Sequence, residues 1–121
     1  MVKVVRNRYL VFKVYTEKKL ELDGEDIKQT LFNTARTLFG EVSMVKLDLQ
    51  LIEFNPSNLE GILKCGHKTV TETRAVIATI TSLKKEPVSL HVKGVSGTLK
   101  RARKKFIEKR EREKNNRKKE A

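Results

Sequence analysis

The stretch 43–67, SMVKLDLQLIEFNPSNLEGILKCGH, carries the cleanest alternation of apolar and polar residues in the chain. Val45, Leu47, Leu49 and Leu51 recur at every second position, with Lys46, Asp48 and Gln50 between them. Successive side chains of a strand point to opposite faces, so residues 43–54 are expected to form a half-buried strand. Asn55, Pro56, Ser57 and Asn58 supply turn chemistry, and Gly61 starts the return. GILKCGH then reads as a shorter strand, hairpin-paired with the first, Leu63 inward and Lys64 outward. What lies on either side of this hairpin decides the fold.

Upstream, residues 8–15 (RYLVFKVY) combine aromatic and β-branched side chains, as a strand does. Leu10, Phe12 and Val14 share one face; Tyr9, Lys13 and Tyr15 share the other. Asp23 at the head of DGED offers a helix N-cap with acids in the first turn. Ile27, Leu31, Ala35, Leu38 and Phe39 follow at helical spacing, and Gly40 supplies the stop.

Downstream, residues 68–85 are rich in β-branched side chains, which favours a strand by propensity. The segment is too long for one strand, and Val70, Ile77 and Ile80 fall at near-helical offsets, so it reads as a helix. Pro87 marks the break, and VSLHVKGV (88–95) alternates again: Val88, Leu90 and Val92 inward, Ser89, His91 and Lys93 outward. The order is β-α-β-β-α-β with a helix appended. That order implies an α+β, ferredoxin-like sandwich, with two helices on the apolar side of an antiparallel sheet. The opposite sheet face is expected to be polar, mostly basic and open, carrying Tyr9, Lys13, Lys46, Asp48, Gln50, Lys64, His91 and Lys93.

The length, 121 residues, suits one domain with a modest core, and 38% hydrophobic residues agree. The net charge of +12 is far from average and calls for an acidic partner, nucleic acid before an anionic membrane. No apolar run approaches the roughly 20 residues of a membrane span, and MVKVVRNRY is too short and charged for a signal peptide. Cys65 is the single cysteine, which points to a reducing, cytoplasmic setting. Abundant Lys and Glu would also suit a heat-adapted source. The charge is concentrated: residues 98–121 hold twelve Lys or Arg against four Glu, a net +8 that leaves +4 for the rest. The expected organisation is one domain over 1–107, including the docked start of the last helix, and a basic, frayed tail over 108–121. No internal repeat is evident.

Residues 94–106, GVSGTLKRARKKF, are the strongest functional signal. A turn of small residues opens onto Lys100, Arg101, Arg103, Lys104 and Lys105, while Leu99, Ala102, Phe106 and Ile107 form one apolar stripe. The stripe is expected to dock on the domain. Ser96 or Thr98 can cap the helix, and a capped helix mouth offers N–H groups to an anion. Ser96 as a nucleophile would need a base and an orienter, and only His67 and His91 carry imidazoles. Cys65 and His67 form C-x-H, but one Cys and two His fall short of a structural zinc set, so a buried strand Cys is the better reading. Asp23, Glu25 and Asp26 read as cap and dipole acids rather than a magnesium cluster. GILKCGHK lacks the aromatics with which an ordinary RRM stacks bases, which favours backbone recognition of folded RNA. A membrane-surface helix would want a longer apolar face.

Taken in order, RYLVFKV, KLDLQLIEFNP, GILKC, TRAVIATI and GVSGTLKRARKKF resemble the small α/β protein subunit family of archaeal ribonuclease P. That family, protein component 2, has a eukaryotic relative in ribonuclease P and MRP. The resemblance spans roughly residues 6–106. It implies an RRM-like subunit of the ribonucleoprotein that removes the 5′ leader of precursor tRNA. The RNA of that enzyme holds the magnesium and the active site; the protein helps fold or activate it and supplies no catalytic residue, metal or cofactor of its own. Implied partners are the ribonuclease P RNA, precursor tRNA within the particle, and a TIM-barrel-like protein subunit in a heterodimer that can double. The expected RNA-binding residues are Ser96, Gly97, Thr98, Lys100, Arg101, Arg103, Lys104 and Lys105, with Arg6, Arg8 and Lys93. A general RNA-binding or ribosome-associated module is the alternative, and a small self-sufficient enzyme using Ser96 or His67 a more distant one.

Overall fold

The computed structural model describes residues 6–104, and its centre is β1 (Asn7–Thr16), whose alternate side chains Leu10, Phe12 and Val14 are buried. The expected boundary between domain and tail, and the residues Lys105, Phe106 and Ile107, lie outside the described residues. After β1 come α1 (Gly24–Phe39), α2 (Glu41–Leu47), β2 (Gln50–Asn55) and β3 (Glu60–Gly66). A 3-10 turn (His67–Thr69) leads into α3 (Val70–Thr79), followed by β4 (Ser82–Leu83), β5 (Glu86–Ser96) and α4 (Leu99–Ala102). The sheet order is β2-β3-β1-β5-β4 with every neighbouring pair antiparallel. With the two-residue β4 set aside, this is the ferredoxin-like sandwich expected from the pattern.

Local chemistry explains the elements that were legible. Asp23 caps α1 in a reciprocal box: its Oδ1 accepts from Asp26 N at 2.8 Å, and Asp26 Oδ2 accepts from Asp23 N at 3.2 Å. Ile27, Leu31 and Ala35, four residues apart, are the buried stripe of that helix. Leu38, placed in the stripe by spacing, is exposed. Gly40 ends the helix at φ +82°, donating its N–H to Arg36 O at 2.8 Å. The hairpin turn is held by Asn55 Oδ1, which accepts from Ser57 N at 2.9 Å, and by Asn58 Oδ1, which accepts from Glu60 N. Gly61 has no room for a side chain: a Cβ there would lie 2.7 Å from Phe12 Cζ.

Three expectations need correcting. The alternation over residues 43–49 is not a strand, because α2 occupies 41–47 and Asp48 turns the chain with φ +49°. Pairing runs out here: β2 meets β3 from Gln50↔Lys64 onward, and the same register would set Ser43 opposite Thr71, in α3. On the helix, Leu47 is buried and Met44 half-buried, while Val42 and Val45 are both 83% exposed. The second helix is also shorter than 68–85. It buries Thr73, Val76 and Ile77 and stops at Thr79; Lys84 and Lys85, both at positive φ, then close a two-residue hairpin between β4 and β5.

The third correction concerns the outer sheet face, expected to be polar and open. Val11 lies between Tyr9 and Lys13 on that face and is fully buried, with Ile62 beside it and Ala102 of α4 above. Tyr9, Ile52 and Leu99 pack around these three, so α4 crosses the face and closes half of it. Two irregularities flank this seat, whose residues Val11 and Ile62 face outward by plain alternation. The β2–β3 register skips Ile52, and the β1–β5 register skips Lys93, pairing Val11 with Gly94 and Phe12 with Val92. Beyond the second bulge the alternation flips, which turns Val95 inward. Lys46, assigned to the same face, stands instead on α2.

Candidate nucleic-acid interface

The basic segment 98–104 is positioned from both ends. Thr98 caps α4, its Oγ1 accepting from Arg101 N at 3.2 Å, while Ala102 N donates to Thr98 O. Ser96 is not the cap; it is the last residue of β5, half-buried opposite Tyr9. Leu99 and Ala102 press the helix onto Val11 and Ile62. Arg103 then locks it sideways: its Nε lies 3.0 Å from Glu53 Oε1 and its Nη2 3.4 Å from Glu53 Oε2, a two-pronged pair to β2.

This sorts the expected RNA-binding residues. Lys100, Arg101 and Lys104 are exposed, and among the described residues no carboxylate pairs with them. Together with Leu99 and Arg103, Lys100 and Lys104 line a shallow cleft of about 510 Å³. Arg103 is occupied by Glu53. Lys93, on the β5 bulge, reaches Glu60, whose Oε1 lies 3.7 Å from Lys93 Nζ and whose side chain is only 3% exposed. Arg8 donates to Asn7 O at 3.1 Å and passes next to Gly97. Arg6 is exposed, and its carbonyl accepts from His67 N at 3.0 Å. The structure thus brings 96–104, Arg8 and Lys93 to one half of the molecule, with two of the cations already held by carboxylates. Sequence reasoning missed Glu53 and Glu60, because neither partner is near its cation in the chain.

The remaining candidates have plain structural roles. Cys65 is fully buried in the core, and that burial pushes its thiol pKa up, away from thiolate chemistry. His67 is exposed, with Nδ1 3.2 Å from Arg6 O; His91 Nε2 sits 2.8 Å from Ser89 Oγ, so neither imidazole is engaged with Ser96. Asp26 is held below the usual carboxylate range, first by the Asp23 N–H and then by Lys84, whose Nζ is 3.2 Å away. Among the described residues, no helix is long and apolar enough to cross a membrane.

The fold and this half-covered, basic sheet face define the class: a small RRM-like α+β domain with a basic helix strapped across its sheet. Residues 8–107 match the model of the Rpp14/Pop5 family, and the chain belongs to that family of ribonuclease P protein subunits. It is 36% identical over 103 residues to ribonuclease P protein component 2 of Methanosarcina mazei, covering 85% of each chain. The Pyrococcus furiosus protein of the same name is 29% identical, over 84% of this chain and 83% of that one. A chain in the cryo-EM structure of yeast ribonuclease MRP matches 98% of each chain with a TM-score of 0.65 at 12% identity, which shows a shared fold.

Proposed function

We propose that this chain is a non-catalytic RNA-binding subunit of ribonuclease P, acting on the 5′ leader of precursor tRNA through the particle's RNA. The observation that carries the RNA-binding role is the seat of α4. Leu99, Ala102 and the Arg103–Glu53 pair seat the helix, so Lys100, Arg101 and Lys104 are presented from a docked element, with no carboxylate partner among the described residues. Cations held in place lose little freedom on meeting a phosphate, and each contact releases counterions. Ser96, Gly97 and Thr98 lead the RNA backbone toward these side chains, with Arg6, Arg8 and Lys93 at its border. Lys105 extends the same basic run in the sequence.

In this reading the magnesium belongs to the RNA, the setting is cytoplasmic, and the protein partner is a TIM-barrel-like subunit. The exposed Leu38, Val42 and Val45 on α1 and α2 offer apolar area to such a partner. The test is reconstitution: the chain, added to the cognate RNA and the partner subunit, restores cleavage of precursor tRNA, while the chain alone cleaves nothing. Cleavage by the chain alone would overturn the non-catalytic role. Equal capture of bulk ribosomal RNA and ribonuclease P RNA would favour a general RNA-binding module.

A further inference from the structure

The half of the outer sheet face that α4 leaves uncovered carries an aromatic cluster that backbone recognition does not use. Tyr15 of β1 is 44% exposed, and His91 of β5 meets it edge-on, ring centroids 5.1 Å apart at 86°. Ser89 Oγ holds the imidazole through Nε2 at 2.8 Å, and Lys13 Nζ lies 5.3 Å from the Tyr15 ring centre. Next to the ring opens a cleft of about 530 Å³, lined by Tyr15, Thr16, Pro87, Val88 and Ser89 together with the charged Glu17, Lys18 and Glu86.

We propose that this cleft binds an unpaired nucleobase of an RNA strand, stacked on Tyr15. The proposal rests on the RNA-binding reading and adds to it a site for single-stranded RNA. A base has an apolar π-face and a polar edge. Tyr15 and Pro87 offer flat apolar walls to the first, and the Ser89 hydroxyl, oriented by its bond to the His91 imidazole, offers a hydrogen-bonding group to the second. The ring is already fixed by His91, so stacking costs little ordering. Lys13 and Lys93, the latter paired with Glu60, stand on the same face, where a phosphate next to the base would pass. A protein segment fits less well, since the ring's neighbours are Lys13, Ser89 and His91. The other large exposed apolar side chains, Leu38, Val42 and Val45, lie on α1 and α2 rather than here. Along β1, Tyr15 is four residues from Val11 under α4, roughly 13 Å at strand spacing, so one RNA strand can engage both places.

The chain has two tyrosines and no tryptophan, which makes the test direct. In the full chain carrying Tyr9→Phe, Tyr15 is the sole tyrosine, and a short oligoadenylate is expected to quench its fluorescence. Tyr15→Leu should weaken oligoadenylate binding roughly tenfold and leave the affinity for a blunt RNA duplex unchanged. His91→Ala should weaken it in the same direction by less, and serves as the test if the leucine variant loses its native circular dichroism. Unchanged oligoadenylate affinity in both variants, with salt-dependent duplex binding intact, overturns the base site and leaves the RNA-binding role standing. Loss of protein-subunit capture by Tyr15→Leu with no change in oligoadenylate affinity assigns the ring to a protein contact and likewise overturns it. Failure of the unsubstituted chain to bind either RNA removes the RNA-binding role and the base site together.

Discussion

The inner face of the sheet is shut by α1 and α3, whereas among the described residues the outer face is shut only where α4 crosses it. Inside, Leu10, Phe12, Val14, Leu63 and Leu90 are each at most 7% exposed and join one continuous core. Outside, three fully buried residues, Val11, Ile62 and Ala102, form a small cluster, and charges begin immediately beyond it. Glu60, 3% exposed, faces Lys93 there, and Glu53 faces Arg103. The same strands therefore serve two purposes. One side holds the fold together by excluded water, and the other holds a functional helix by a small apolar seat and a pair of charges.

The largest effect that separates the two faces is expected at Phe12. Phe12→Ala on the inner face should cost about 3–5 kcal/mol, a large part of a small domain's stability, and lower the calorimetric Tm accordingly. An equally stable variant would show that the inner core is not the seat of stability. On the outer face the corresponding prediction concerns affinity. Replacing Lys100, Arg101 and Lys104 together by Ala should leave the Tm nearly unchanged and flatten the slope of log affinity against log salt by about two to three units. Arg103→Ala should reduce that slope less, because Glu53 already neutralises it, and an equal reduction would show that the pair opens on RNA.

A smaller effect distinguishes two neighbouring hydroxyls. Thr98→Ala removes the observed cap of α4 and should cost about 1 kcal/mol of local helix stability, read as faster amide exchange at Arg101. Ser96→Ala should leave that amide's exchange as it was and leave cleavage by the reconstituted particle intact. The smallest effect is a pH dependence at Asp26. Its folded pKa is lowered, so its contribution to stability is present above the ordinary carboxylate value and fades as pH falls through the folded one. Lys84→Met should move the Asp26 carboxyl titration upward, as followed by NMR; it should not restore the ordinary value, because the Asp23 N–H remains and is the larger cause.

Apart from α2 and β4, the order of strands and helices was written into the sequence because period-two and helical patterns are local. Leu10, Phe12 and Val14 announce β1, and Ile27, Leu31 and Ala35 announce α1. Asp23 and the Asn55–Asn58 turn act on backbone groups within a few residues of themselves, so their work was legible too. The basic run at Lys100–Lys104 was equally plain, since charge needs no geometry to be counted.

Tertiary structure decided the rest. Residues 43–47 alternate as a strand should, yet they coil into α2 because β3 ends before it could pair with them. The bulges at Ile52 and Lys93, invisible in the pattern, put Glu53 on the same side as Ile52, within reach of Arg103, and turn Val95 inward. Arg103 looks like its basic neighbours in the sequence, and only the folded chain brings Glu53, fifty residues earlier, to its guanidinium. Periodicity records which side of its own element a residue occupies. Which strand ends first, and which distant charge arrives, depends on how the elements pack against one another.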